Sequence, residues 1–489
     1  MNVARLPVLV GVGTASQREE NFAHAVEPLD LMLQAVRRAG VDAGGAHTLV
    51  AVGQVAVPKG RWRYRNPAGE IARAIGATQA TTVLASVGVL QQSLIGDACQ
   101  RIANGEINAA LVIGGDAGYR LQRAKIAGQR APERQQDDAP AVSLQPVEDL
   151  RHPAEVRAGI VMPAPLYAMI ESAWRAKQRW SVDEHRSRIA AMLARFSEIA
   201  VDNPDAWRRT RIAAADISEA SVRNPMQAYP YARLHCANWS VDQAGALLFC
   251  SAAQAHAWGI APERWVHPWA STESSHMVAV SARADLAACD GARLAGQAAL
   301  AAGGLSDASQ VDLLEIYSCF PVAVQSFAHE LKLPLTRDLT ITGGMNLAGG
   351  PYNNYVLQAT CRMARLLREA RGRHGLVASV SGILTKQGFG LWGREPAPQG
   401  FLQVDVTAQT ALCQASTPVH ESYRGTGRVA GYTVVHESKA PRRAMVLADT
   451  PDGGRALATS TDAATADRME SQECCGSAVM MDADTFTMS

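Results

Sequence analysis

Three kinds of residue in this chain have the chemistry to build a site: a glycine pair at a strand end, cysteines, and histidines. Gly11-Val-Gly13 follows an apolar run over residues 6–10, and glycines there could admit a dinucleotide pyrophosphate to a helix N-terminus. The third glycine position is Ser16, followed by Gln17, Arg18, Glu19 and Glu20, so the loop lacks the close backbone approach a pyrophosphate needs. Nine cysteines stand at 99, 236, 250, 289, 319, 361, 413, 474 and 475. An odd number with one close pair is no disulfide framework and fits a reducing cytoplasm. Neither Cys474-Cys475 nor the scattered histidines have zinc-ligand spacing, so no metal is expected, and His235, His267, His276 and His329 read as structural. There is no Walker-type loop and no Gly-x-Ser-x-Gly elbow.

The elements that would position a site alternate. Strands are predicted over 6–13, 48–57, 82–85 and 109–113, with helices over 28–40, 69–75 and 91–104, the last closed by Gly105. Residues 117–225 break the rhythm as an arginine-rich helical insertion containing Arg208, Arg209 and Arg211. The rhythm returns over 242–251 and repeats: strand 277–281, helix 291–302, strand 311–316, a helix from Val322, helix 355–371 and strand 376–381. Strands alternating with helices imply crossover connections and a largely parallel or mixed sheet covered by helices. Two α/β halves, 1–255 and 256–398, read as a duplicated unit. After a linker at 393–400, short β runs and turn signals such as Asp452-Gly453-Gly454 predict a small all-β domain over 399–489.

With 489 residues, 47% of them hydrophobic, the chain has room for roughly three domains. The balance of 47 basic and 46 acidic side chains, net +1, argues against nucleic acid or a membrane surface as partner, although one basic patch could hide within it. No stretch reaches the roughly 18 apolar residues of a membrane span, and the first ten residues do not read as a signal peptide.

Four segments resemble the active-site loops of thiolases, in order and at similar separations, over residues 6 to about 392. Ser86-Val-Gly-Val-Leu-Gln-Gln-Ser93 opens the helix where thiolases carry a nucleophilic cysteine; counting back from Gly105 puts Gly88 at that position. Asn238-Trp-Ser240 is similar to the thiolase Asn-Ala-Ser-Gly stretch, which implies contact of Ser240 and Asn238 with the pantetheine of coenzyme A (CoA). A Ser240 that merely caps a following helix is the competing role. Glu315-Ile-Tyr-Ser-Cys-Phe320 is similar to the Asn-Glu-Ala-Phe box, with Tyr317 in the oxyanion-hole position. Gly343-Gly-Met-Asn-Leu-Ala-Gly-Gly-Pro351 resembles the loop of the catalytic histidine, with Gly350 in its place, and Ser381-Gly382 stands where a second catalytic cysteine would be. Cys319 reads as a buried structural thiol.

The nearest resemblance is to thiolase-like proteins that lack the Cys/His/Cys set and carry an extra C-terminal β domain. It implies a duplicated, layered αβαβα core and CoA or an acyl-CoA thioester as ligand, with no resident cofactor. The first functional reading is thioester binding without thiolase turnover, with the insertion's arginines on the nucleotide phosphates. The second is an active acyltransferase, labelled like an acetyl-CoA acetyltransferase, or a retro-aldol lyase using Tyr317 and Tyr352 for proton transfer. The third is a non-catalytic scaffold or partner-binding protein. Thiolases pair as dimers through the core sheet, and here both monomer and homodimer stay open.

Overall fold

The computed structural model describes residues 2–437 and 440–488. Its first strand, β1 (Pro7–Gln17), serves two cores. Val8 and Val10 pack with the helix Pro28–Asp42, whereas Leu9 and Val12 join the interior shared with the second half. A Cβ at Gly11 would stand 2.3 Å from the Ala39 carbonyl oxygen, and one at Gly13 2.0 Å from that of Ala35. These glycines let a helix lie directly on the strand, which is packing and not phosphate binding.

The strands β2 (Gln54–Pro58), β3 (Thr81–Ala85), β4 (Ala109–Ala117) and β5 (Val142–Leu144) follow. The insertion then contributes helices Ala164–Gln178 and Val182–Val201 and a short hairpin, β6 (Met226–Ala228) and β7 (Tyr231–Ala232). Strand β8 (Asp242–Ser251) completes a sheet of order β1-β8-β4-β2-β3-β5. The second half supplies β9 (His267–Ser274), β10 (Leu313–Glu315), β11 (His374–Ser381) and β12 (Lys386–Gly393), with β13 (Leu402–Asp405) at the edge, in the order β10-β11-β12-β9-β13.

The duplication is visible in this topology. Along β2-β4-β8-β1 the pairings run parallel, antiparallel, antiparallel, and along β10-β11-β12-β9 they run the same. Helices Gln91–Asn104 and Tyr355–Arg368 precede the equivalent strands β4 and β11 and lie between the two sheets. Helices Pro28–Asp42 and Asp290–Ala302 follow β1 and β9 and cover the outer faces. The core is therefore the layered α/β arrangement the sequence predicts.

Several elements differ from expectation. The strand begins at Gln54, because Gly44 and Gly45, at positive φ, end the preceding helix and residues 47–50 coil into a helical turn. The strand expected at 277–281 is a short turn over 280–282, and the true strand is the polar β9. β9 is buried on both faces with its hydroxyls paired: Thr272 donates to the Ala295 carbonyl at 2.7 Å and Ser274 to Thr410 at 2.9 Å. Apolarity therefore did not mark it. The glycine-rich β12 was likewise unmarked; a Cβ on Gly390 would stand 2.9 Å from the Gln92 side chain of the central helix.

The C-terminal part is β-rich and not all-β. Strands β14 (Arg424–Val435), β15 (Arg443–Asp449), β16 (Arg455–Ser460), β17 (Ala478–Asp482) and β18 (Thr485–Met488) close into a barrel through the β14–β15 pairing. Helix Thr407–Cys413 precedes the barrel and packs against the helix Asp290–Ala302, whereas Ala463–Ser471 falls between β16 and β17, its Ala466 and Met469 packing into the barrel core. The insertion hairpin extends the same sheet, with Val435 paired to Ala228.

Candidate functional site

The helix Gln91–Asn104 starts where thiolases present their nucleophile, but the approach is closed. Gly88 has φ +106°, and a Cβ there would lie 2.8 Å from Pro146. Leu150, on the same strap, has its Cδ2 3.4 Å from the Cβ position of Gly88 and 3.4 Å from that of Gly382. One leucine thus sits between the two loops where two thiols would face each other. The strap is held by Glu148, whose carboxylate is 3.4 Å from the buried ammonium of Lys386, two residues beyond the hairpin turn from Leu384. At Gly350 a Cβ would meet Met345 at 3.1 Å and Ala237 at 3.3 Å, a tight fit for any side chain. Ser381 ends β11, half-buried and in register with Lys386.

The other loops do come together. The Ala237 N–H donates to the Cys319 carbonyl at 2.9 Å, the Asn238 N–H to the Met345 carbonyl at 3.0 Å, and the Gly350 N–H to the Asn238 carbonyl at 2.9 Å. Asn238 also accepts the Ser240 N–H on its own side chain at 3.2 Å. Asn238 thus ties its own segment to the 343–351 loop, and Ala237 ties it to the 315–320 segment, leaving Ser240 half-buried two residues before β8. A strand follows Ser240, so helix capping is not its role.

Glu315 anchors the third segment to the fourth. Its fully buried carboxylate accepts the N–H groups of Ile341 and Thr342 at 2.9 and 3.0 Å, the hydroxyls of Thr340 and Thr342, and the Tyr355 hydroxyl. Burial raises its pKa to about 7, against these hydrogen bonds. Sequence reasoning passed over this acid; the visible signal was a lone carboxylate ending an apolar strand. Tyr317, two residues on, stands edge-on to Tyr355 with ring centroids 5.9 Å apart. Burial, with Cys319 and Tyr352 nearby, pushes the Tyr317 hydroxyl pKa up. Burial also raises that of Tyr352, partly offset by Arg61. Both tyrosines thus hold their protons at neutral pH, which suits hydrogen-bond donation or acid catalysis more than resting base catalysis. Cys319 is buried, its thiol pushed up to about 12 by burial, as a structural cysteine requires.

Arg61 joins Tyr352 to the Asn238–Ser240 stretch. Its guanidinium lies over the Trp239 ring at 5.4 Å and the Tyr352 ring at 5.9 Å, donates to the Trp239 carbonyl at 2.7 Å, and pairs with buried Asp116 at 2.7 Å. From there a cleft of about 770 Å³ opens, lined by Arg61, Arg63, Arg65, Lys125, Arg130 and Arg134. Arg134 is paired with Glu27 and Asp30, whereas Arg63, Arg65, Lys125 and Arg130 form no ion pair among the described residues. Among the described residues the only acid lining it is Glu133. This patch was missed in the sequence although its signal was present: Arg61-Trp-Arg63-Tyr-Arg65 alternates with period two, Trp62 and Tyr64 being buried and the arginines facing out. Arg208, Arg209 and Arg211 do not line the cleft, and Arg209 donates twice to the Val201 carbonyl. Among the described residues no His/Cys/Asp/Glu cluster could hold a metal ion and no helix is long and apolar enough to cross a membrane.

A duplicated layered core with closed thiolase positions and a separate C-terminal barrel defines a thiolase-like protein with an additional C-terminal domain. Residues 403–485 match the family model for the thiolase-like protein type 1 additional C-terminal domain. The chain is similar over its full length to a monomeric SCP2-thiolase like protein type 1 from Mycobacterium smegmatis, with a TM-score of 0.84, 25% identity and 100% of both chains covered. It also shares its fold with the Ltp2-ChsH2(DUF35) aldolase, at a TM-score of 0.59 and 16% identity, over 80% of this chain and 98% of that one. No curated protein matches the sequence.

Proposed function

We propose that this protein binds CoA or an acyl-CoA thioester and does not turn over as a thiolase. The observation that carries this reading is the basic cleft lined by Arg61, whose guanidinium also lies over Trp239, with four cations unpaired among the described residues. Guanidinium forks match phosphate oxygens, and cations left without acids favour a polyanionic ligand. The nucleotide phosphates would occupy the cleft, and the pantetheine would run past Trp239 toward Asn238 and Ser240. Thiolysis requires a thiolate to carry the acyl group and a base to activate it. Gly88 and Gly350 supply neither side chain, and the close contacts of a Cβ at each, 2.8 Å to Pro146 and 3.1 Å to Met345, support this reading.

A second reading keeps an enzyme. In retro-aldol cleavage of a β-hydroxyacyl-CoA, a base removes the hydroxyl proton, the Cα–Cβ bond breaks to give a carbonyl product and a thioester enolate, and an acid protonates Cα. Tyr317 and Tyr352, close together and protonated, favour the acid and enolate-stabilising roles. The fold shared with the Ltp2-ChsH2(DUF35) aldolase is in keeping with this.

The test is calorimetric titration with CoA, acetyl-CoA and 3′-phospho-ADP, comparing the wild type with Arg63→Glu/Arg65→Glu. Binding that the double variant weakens by about tenfold or more supports the reading, since each charge-assisted contact is worth ~1.5–3 kcal/mol. No heat with any of the three ligands overturns it and leaves a scaffold or partner-binding role.

A further inference from the structure

A second cavity, of about 210 Å³, lies away from the thiolase loops, where helices Ala164–Gln178 and Val182–Val201, the β6–β7 hairpin and the C-terminal barrel meet. At ~30 Å³ per water it has room for about seven waters, or one small organic molecule. Its walls hold more hydrogen-bond donors than acceptors. Arg175 is fully buried; its Nε donates to Glu473 at 2.9 Å and its Nη2 to the Tyr432 hydroxyl, but its Nη1 has no partner. The Tyr229 hydroxyl faces the same space, 4% exposed as a residue and also without a hydrogen bond. His235 accepts the Ala232 N–H on Nδ1 at 3.0 Å, and burial lowers its pKa to about 4. The neutral ring therefore carries its proton on Nε2, which meets no protein acceptor among the described residues.

The carboxylates close by are engaged elsewhere. Both oxygens of Glu470 are taken, by His436 at 2.6 Å and Arg442 at 2.9 Å. Glu171, behind His185, accepts from His185 and Gln325 at 2.6 Å and from Tyr231 at 2.5 Å. Glu219 is exposed at the rim, and Arg186, also lining the cavity, has only a loose contact with Asp183 at 3.7 Å. A buried donor left without an acceptor costs ~1–3 kcal/mol, more when charged. Two such donors, Arg175 Nη1 and the Tyr229 hydroxyl, with the His235 Nε2–H beside them in one small cavity, call for a compact acceptor bearing negative charge.

We propose that this cavity is a binding site for a small ionised carboxylic acid, held by Arg175, Tyr229 and His235. One guanidinium N–H, one phenol and one neutral imidazole N–H match the two oxygens of a single carboxylate. The doubly charged phosphate ion would need a second buried cation. Because Arg175 bonds Tyr432 of the barrel and Tyr229 donates its N–H to the Val434 carbonyl at 2.8 Å, the occupied site ties the insertion to the C-terminal domain. This inference is independent of CoA binding.

The experiment is thermal denaturation and calorimetry of the full chain with acetate, benzoate, citrate and inorganic phosphate at constant ionic strength. At least one monocarboxylate should raise Tm saturably, as a ligand selective for the native state does. Tyr229→Phe, which removes only an unpartnered hydroxyl, should weaken that binding by about fivefold or more, a factor in keeping with one lost hydrogen bond, with the ligand-free Tm nearly unchanged. His235→Gln should weaken it as well. Absence of binding by every carboxylate, binding of phosphate alone, or affinity untouched by both variants would overturn the assignment and leave a water-filled cavity.

Discussion

Leu150 stands over Gly88: its Cδ2 is 3.4 Å from the point a Cβ at position 88 would occupy, and 3.4 Å from the corresponding point at Gly382. Close packing thus occupies the space in front of both loops, and placing thiolase residues there should not by itself build a thiolase site.

Gly88→Cys, alone or with Gly350→His and Ser381→Cys, should show no thiolase activity. The single change places a side chain at φ +106° and 2.8 Å from Pro146, and should lower stability by about 1–3 kcal/mol. Thiolysis assays and denaturant unfolding check the two halves of this expectation.

Stability should carry the titration of Glu315. Its native pKa of about 7 exceeds the ordinary glutamate value of 4.5, so between those values the native state binds more protons than the unfolded chain. The contribution is complete below about pH 4.5, falls as pH rises through 7, and is on the order of 3 kcal/mol. Glu315→Gln should flatten this part of the stability profile. Unfolding free energies at pH 5 and 7.5 that differ equally in wild type and variant would refute it.

Ser240→Trp should abolish CoA binding by filling the pantetheine path, whereas Tyr317→Phe should leave binding intact. If the protein cleaves a β-hydroxyacyl-CoA, Tyr317→Phe should slow that step by about 10²-fold or more. Equal single-turnover rates for wild type and variant would remove Tyr317 from the reaction.

The protein should be a monomer. Thiolase-type cores pair through a sheet edge, and here the edge strand β3 is covered by β5 of the same chain, with Val83 opposite Val142 and Ala85 opposite Leu144. Light scattering should give a mass near 52.1 kDa. Ser143→Pro, which disrupts the β5 ladder, should raise the tendency to self-associate.

How far the sequence reached depended on what local pattern can carry. The central helix was legible over 91–104, the bounds the structure shows, because an amphipathic stripe and a terminal glycine at φ +79° both mark it. Strand β9 was not legible, since a strand buried on both faces with every hydroxyl paired has no apolar alternation. The basic stripe at 61–65 was written in the sequence, but the net charge of +1 averaged it away.

By itself, the sequence determined the alternation of strands and helices and the duplicated layered core, which follow from periodicity; the placing of Gly88, Gly350 and Ser381 at thiolase catalytic positions is what the resemblance implies. Only the tertiary structure decided that Leu150 packs between Gly88 and Gly382, that Glu315 holds two loops through residues 25 to 40 positions away, and that Arg61 joins Trp239 and Tyr352. Such contacts join residues far apart in the chain, and local pattern records that a side chain is buried but not what it is buried against.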